Sequence, residues 1–148
     1  MRLQSIVSTS EESTTGTDDE YVVLGGGHVG SEVARRLRAA GNAVTVVDKT
    51  HDPTDPPGVR GDPADRRTLD RAGITDATTV VVAIPDDARG LLAAGLVRAH
   101  FGAADVWVLV WSPGRCDLVA DAGHEPICVT TALSDAVVAN LERPWEIE

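Results

Sequence analysis

The sequence predicts an α/β protein, a single domain built on a Rossmann-like, doubly wound sheet of six parallel strands. Two observations carry this prediction. Short β-branched runs alternate with helical patterns along 148 residues, a length that suits one domain. The runs are also continuously apolar, which is typical of parallel strands whose helical crossovers cover both faces of the sheet.

The first predicted unit is a strand at residues 21–24, followed by a glycine-rich turn and a helix at residues 31–40. Within the helix, Val33 and Leu37 recur at the four-residue spacing of a buried face. Gly41 follows as a natural C-terminal stop. This arrangement is a βα unit.

The remaining elements continue the alternation. We predict strands at residues 43–47, 59–60, 80–84, 106–111 and 127–129. We predict helices at residues 63–72, 87–100, 115–122 and 134–142, the first of them capped by Asp62. Prolines make residues 50–58 a loop or a single turn. We expect residues 1–19 to form a flexible acidic tail and residues 20–148 to form the domain.

The net charge of −10 arises from 23 acidic and 13 basic residues, and Lys49 is the single lysine. Dense carboxylates keep a surface hydrated in concentrated salt, so the composition favours adaptation to high salt. The alternative is a moderately acidic cytosolic protein. Nucleic acids and anionic membranes require a basic patch on their partner, so we exclude both as partners.

Cysteine usage and hydropathy indicate the compartment. Cys116 and Cys128 have neither metal-ligand spacing nor the pattern of a disulfide framework, so we expect a reducing, cytoplasmic location. The longest apolar run, residues 106–111, is far shorter than the roughly 20 residues that span a bilayer. We therefore expect no direct membrane insertion.

Gly25, Gly27 and Gly30 occupy the three glycine places of a G-x-G-x-x-G motif between the first strand and the first helix. In dinucleotide-binding folds these glycines form the tight turn, admit a pyrophosphate and let the helix pack closely. Asp48, about 20 residues further on, is the acid expected to bind ribose hydroxyls, which favours NAD over NADP. The alternative is a tight turn and a strand-end cap without a ligand.

Three further side chains lie at positions where chemistry is possible. His28 lies inside the glycine motif, where its side chain can reach over bound phosphates; the alternative is an exposed loop histidine. Asp86 and Asp87 follow the central strand. We interpret them as the cap of the next helix rather than as a catalytic pair, because adjacent residues rarely face one pocket.

Four motifs in order, GGGHVG, VVDKT, GDPADRRTLDRAGI and VVVAIPDD, resemble the TrkA-N domain, also called the RCK N-terminal domain. The resemblance implies a Rossmann fold that binds NAD(H), or ADP, ATP or AMP, without catalysis. It also implies a homo-oligomer that regulates an integral-membrane potassium transporter or channel.

The resemblance implies a set of cofactor-binding residues and no catalytic or metal-ligating ones. They are Gly25, Gly26, Gly27, His28, Val29 and Gly30 at the phosphates, Asp48 and Lys49 at the ribose, Gly61, Asp62 and Pro63 beside the adenine, and Ala83, Ile84 and Pro85 over the nucleotide. The chain departs from the family at His28, where arginine is frequent, and at Gly90, where asparagine is usual. We also expect no room after the last helix for the C-terminal RCK subdomain.

Two other functions remain open from the sequence. One is an NAD-dependent oxidoreductase, although no segment after the sheet supplies a substrate-side acid or base. The other is an interaction domain that has kept the fold without the ligand. Trp107 and Trp111 lie on one strand face, where we expect them to cover the sheet beneath a helix; the alternative is a subunit contact. The apolar last helix is a candidate dimer element.

Overall fold

The computed structural model describes residues 19–52, 58–103 and 105–143. Its strands are β1 (Glu20–Leu24), β2 (Ala43–Asp48), β3 (Gly58–Arg60), β4 (Thr79–Val82), β5 (Asp105–Val110) and β6 (Glu125–Cys128). Its helices are α1 (His28–Ala39), α2 (Arg66–Asp70), α3 (Asp87–Phe101), α4 (Cys116–Asp121) and α5 (Val129–Leu141), with a 3-10 turn at Pro113–Arg115. The predicted tail before Asp19 and the proline-containing residues 53–57 lie outside the described residues.

The strands form one sheet in the order β3-β2-β1-β4-β5-β6, and every neighbouring pair is parallel. The predicted fold class is therefore confirmed. The chain order reverses between β1 and β4, which lie side by side at the centre. In such sheets the carboxyl ends of the two central strands open a crevice at this switch point.

Two apolar clusters hold the helices on opposite faces of the sheet. On one face, Leu69 of α2 and Val97 of α3 are fully buried with Val80 and other strand residues. On the other face, Ala34 of α1 packs against Val23 and its neighbours. The sheet is therefore fixed from both sides around its central strands, which keeps the carboxyl-terminal edge in a defined position.

The predicted helix at residues 63–72 is wrong at both ends, because the structure confines α2 to Arg66–Asp70. Asp65 caps it, accepting a hydrogen bond from the Arg67 backbone N–H at 3.0 Å. Asp62, the predicted cap, instead accepts from the Ala64 backbone N–H at 2.9 Å and closes a separate turn. The glycine-rich turn is likewise shorter than predicted, since α1 begins at His28.

The pattern of the two cysteines does not indicate a disulfide, but Cys116 and Cys128 form one. The fold explains why they meet. Helix α4 begins at Cys116 and packs against β6, which ends at Cys128, so their Cα atoms lie 6.0 Å apart. This long-range packing has no counterpart in the spacing of the two residues along the chain.

Helix α5 leaves the sheet instead of covering it. Val129 at its start packs into the α1-side cluster, whereas Leu133 and Leu141 are 61% and 79% exposed. On the sheet, Trp107 and Ile127 are also exposed. An apolar helix face and an apolar sheet face are therefore both open to solvent.

Among the helices of the described ranges, none combines the length and apolar character that crossing a bilayer requires.

Candidate functional site

The glycine loop between β1 and α1 lies at the centre of the sheet edge. Gly25 has φ of +103°, and a Cβ added there would lie 2.7 Å from the Ala83 carbonyl oxygen. Its backbone N–H donates to the Val47 carbonyl oxygen at 2.8 Å. Because a side chain fits neither this backbone conformation nor this space, glycine is required at the tight turn.

Gly30 has the close-packing position that the motif predicts. It lies in the first turn of α1, and an added Cβ would overlap the Gly25 carbonyl oxygen. The absence of a side chain therefore allows the helix to approach the loop closely enough to direct its N-terminus at the crevice.

Replacing Gly30 by alanine should lower the free energy of unfolding by about 2–3 kcal/mol, because backbone must move to accommodate the new methyl group. Gly95 in α3 is the matched control, since an added Cβ meets no atom within 4 Å there. Gly95→Ala should instead stabilise the protein by about 0.8–1 kcal/mol through helix propensity. Chemical denaturation measures both. Equal effects of the two substitutions would contradict this account of the loop.

The N-terminus of α1 is open for an anion. Gly27 is its N-cap, with φ −69° and ψ −165°, and no side chain caps the helix. A Cβ at Gly27 would meet nothing within 4 Å. The first backbone N–H groups of a helix lack intrahelical acceptors and carry the positive end of its dipole. This end of the loop can therefore bind a phosphate group.

Asp48 joins the end of β2 to the glycine loop. Its Oδ1 accepts a hydrogen bond from the Gly26 backbone N–H at 2.9 Å. Its Oδ2 accepts from the Thr50 backbone N–H at 3.0 Å and from the Thr50 hydroxyl at 2.6 Å. Burial raises the pKa of this carboxyl group, but the bonds from Thr50 and Gly26 outweigh burial and lower the pKa overall. Asp48 is therefore an ionised acceptor at the loop.

Asp62 and Arg89 form an ion pair at the same edge of the sheet. The Nη2 atom of Arg89 donates to both carboxylate oxygens of Asp62, at 2.7 and 2.6 Å. The Ala64 backbone bond lowers the pKa of Asp62, and Arg89 lowers it further against the effect of burial. The pair joins the turn after β3 to the first turn of α3, across the edge of the sheet.

These parts enclose a cleft of about 440 Å³. Its lining residues are Gly25, Gly26, Gly27, Asp48, Lys49, Thr50, Asp62, Pro63, Ile84, Pro85, Asp86 and Arg89. Most of the predicted site residues therefore meet at one place. The cleft combines an anion-binding helix end, a carboxylate acceptor and an apolar wall, which suits a phosphorylated nucleoside.

Five predicted residues do not line the cleft. His28 lies in a neighbouring groove at the start of α1, together with Ser31 and Arg35. The others, which lie beside or beneath the cleft lining, are Val29, Gly30, Gly61 and Ala83. Of these, Gly30 and Ala83 are buried and shape the loop from below.

Sequence reasoning missed Thr50, Asp86 and Arg89 as lining residues. The position of Arg89 in the chain could have identified it as a lining residue. It lies in the first turn of the helix that follows central strand β4, and in parallel sheets such turns lie at the carboxyl-terminal edge, where ligands bind.

The prediction that both adjacent aspartates after β4 cap the next helix is confirmed for Asp86 and wrong for Asp87, whose carboxylate binds the backbone after β5. The carboxylate of Asp86 caps α3, accepting from the backbone N–H groups of Ala88 and Arg89 at 2.9 and 3.2 Å. The carboxylate of Asp87 accepts from the backbone N–H groups of Trp111 and Ser112, both at 2.9 Å. Burial raises the pKa of Asp87, but these two bonds, the Ser112 hydroxyl and the charge of Arg115 together outweigh burial and lower the pKa. The two carboxylates therefore bind different partners.

The chain is similar in sequence to known proteins. The family model of the TrkA-N domain matches residues 21–130. A relative in Streptomyces coelicolor, the Trk system potassium uptake protein TrkA, is 28% identical over 129 residues, covering 81% of this chain and 57% of the relative. The chain thus spans little more than half the length of that relative.

Solved structures share the fold. The NAD(P)-binding domain of an exopolyphosphatase-related protein from Archaeoglobus fulgidus has a TM-score of 0.75 at 25% identity, covering 84% of this chain and 98% of that one. GsuK bound to ADP has a TM-score of 0.74 at 21% identity, covering 86% of this chain and 35% of GsuK. The GsuK channel bound to NAD has a TM-score of 0.66 at 19% identity, covering 82% and 23% of the two chains.

Proposed function

Because the chain belongs to the TrkA-N domain family, we propose that it is a nucleotide-sensing regulatory module that controls potassium or other cation transport. It binds NAD(H) or an adenine nucleotide and does not catalyse a reaction. The observation that carries this proposal is the cleft itself, which runs from the open N-terminus of α1 past Asp48 to the Asp62–Arg89 pair.

Each part of the nucleotide has a matching part of the cleft. The phosphates lie at the N-terminus of α1, near Gly27, where backbone N–H groups and the helix dipole favour an anion. The ribose hydroxyls donate to Asp48, which exchanges a bond from Thr50 for them. An acid at this position disfavours a 2′-phosphate, so NAD is preferred to NADP. The ADP and NAD bound to GsuK share this adenosine diphosphate part.

The bonding of the carboxylates supports a binding role over catalysis. Asp48, Asp62 and Asp86, which line the cleft, each accept hydrogen bonds that fix a turn, a partner side chain or a helix cap. A general base must take a proton from the substrate, and the lowered pKa values of Asp48 and Asp62 make both carboxylates weak bases. Across the described residues, no group of three His, Cys, Asp or Glu side chains is placed to hold a metal ion.

A packed route links the cleft to α5. The carbonyl oxygen of Ile84, a lining residue, accepts a hydrogen bond from the Trp111 indole N–H at 3.0 Å. Trp111 packs in the same cluster as Val129, the first residue of α5. A ligand that prefers one arrangement of this route biases the position of α5 by its difference in affinity for the two arrangements.

The partners we propose are a second copy of this chain and an integral-membrane potassium transporter or channel, contacted from the cytoplasm. The second copy is supported by the apolar stripe of α5, Leu133, Val137 and Leu141, and by the exposed sheet residues Trp107 and Ile127. Two copies related by a twofold axis can each bury the helix of the other on this uncovered face.

Replacing Val137 by aspartate should raise the dissociation constant of the dimer at least tenfold, because a charge would be buried in the interface. Ala139, nearly opposite on the same exposed helix, is the control, and Ala139→Asp should leave the dimer intact. Sedimentation equilibrium measures the change. If Val137→Asp and wild type have the same mass distribution, α5 is not the contact.

Hydrogen exchange on the full chain tests the sensing role. Saturating ADP or NADH should slow exchange in the glycine loop and also change exchange in α5, and the NADH should be recovered unoxidised. Protection confined to the loop would contradict sensing through α5. Conversion of bound NADH on addition of a carbonyl substrate would favour an oxidoreductase.

A further inference from the structure

The glycine loop and Asp48 have proposed roles in binding the phosphates and the ribose, but the ion pair of Arg89 and Asp62 has no role yet. Both residues line the cleft, and their side chains are 43% and 33% exposed. Arg89 extends from the first turn of α3, and Asp62 from the turn after β3. The pair therefore spans the face of the cleft between two elements on either side of the central strands.

Asp62, which binds Arg89, is itself held in place by backbone hydrogen bonds. Its Oδ1 also accepts from the Ala64 backbone N–H at 2.9 Å, and its carbonyl oxygen accepts from the Asp65 backbone N–H at 3.0 Å. The Nη2 atom of Arg89 alone makes both bonds to the carboxylate. The flat guanidinium is thus held by one corner, and the side chain keeps 43% of its surface exposed, which leaves area for stacking.

The position of this pair favours a base over a phosphate. Phosphates are attracted to the amides of the α1 N-terminus, at the opposite end of the loop. At the Arg89 end, the carboxylates of Asp62 and Asp86 balance the positive charges of Arg89 and Lys49, so this end has no net positive charge to attract a phosphate. The same end carries Pro63 and Ile84, which offer apolar contact to a planar ring. A guanidinium stacks well on such a ring.

We propose that Arg89 is the nucleobase platform of this cleft, on which the adenine ring stacks, and that Asp62 is the positioning residue that holds the guanidinium in place. This inference rests on the proposed nucleotide-binding function. It assigns a contact that acts on the base, common to AMP, ADP, ATP and NAD.

Calorimetric titration of the full chain with AMP, ADP, ATP and NAD⁺ tests the assignment. Arg89→Ala should weaken all four by the same factor, about 5- to 30-fold, because the lost stacking contact is to the base they share. Arg89→Lys, which keeps the charge but loses the planar group, should weaken them nearly as much. Arg66→Ala, an exposed arginine in α2, is the charge-matched control and should bind as wild type.

The outcomes are distinct. If Arg89→Ala binds as wild type, if its loss grows from AMP to ADP to ATP, or if Arg89→Lys restores binding, Arg89 is not a base platform, and the proposed function stands without it. If wild type binds none of the four nucleotides, both proposals are overturned. Thermal unfolding of each variant shows that a loss of binding is not a loss of fold.

Discussion

Replacing Gly27 by aspartate should abolish nucleotide binding, with a loss of roughly 100- to 1,000-fold, while the protein unfolds at the same or a slightly higher temperature. The carboxylate would lie where the phosphates bind, and two like charges 4 Å apart repel by about 4 kcal/mol at an effective dielectric constant of 20. The fold tolerates the change, because the space around a Cβ at Gly27 is empty and its backbone angles suit any residue. Titration calorimetry and thermal unfolding measure the two effects.

Because the affinity should fall while the unfolding temperature stays the same or rises, the loss of binding cannot be attributed to a loss of fold. Aspartate is a better N-cap than glycine by a few tenths of a kcal/mol, and α1 has no side-chain cap. Gly27→Ser is the matched control, because it adds a neutral cap and should keep most of the affinity. Unchanged binding by Gly27→Asp would mean that the phosphates do not lie at the start of α1.

Replacing Asp48 by asparagine should weaken adenine nucleotides by roughly 10- to 100-fold, because a charged acceptor for the ribose hydroxyls becomes a neutral one with a single acceptor oxygen. The variant should also discriminate less between NAD and NADP, since the charge that repels the 2′-phosphate is gone. Competition between the two dinucleotides, measured by calorimetry, gives both numbers.

The control for Asp48→Asn is Asp70→Asn, the same charge change at an exposed residue that ends α2 outside the cleft. It should bind nucleotides as wild type does. If Asp48→Asn retains full affinity and discrimination, Asp48 has only its structural role of bonding Gly26 and Thr50.

The parts of the fold that were predictable depend on local patterns. Strand β1, helix α1 and the loop between them follow from apolar periodicity and from where glycine is needed, such as Gly25 with its positive φ and Gly30 beneath the loop. Asp48 was predictable because it ends a strand at the spacing that this motif requires. These signals lie within about 25 residues of one another.

The features that sequence reasoning missed depend on contacts distant in the chain. Arg89 reaches Asp62 across 27 positions, and α2 begins only at Arg66, so Asp65 rather than Asp62 caps it. Cys116 meets Cys128 only because α4 packs on β6. The local sequence around each residue is compatible with several contact partners, and tertiary packing determines which contact forms.

Equilibrium titration of the wild-type chain with ADP and with NAD⁺, in molar potassium chloride, tests the central claim most directly. We predict saturable binding of both nucleotides with one site per chain, and loss of that binding in Gly27→Asp. Absence of saturable binding by either nucleotide to the folded wild-type chain would contradict a nucleotide-sensing function.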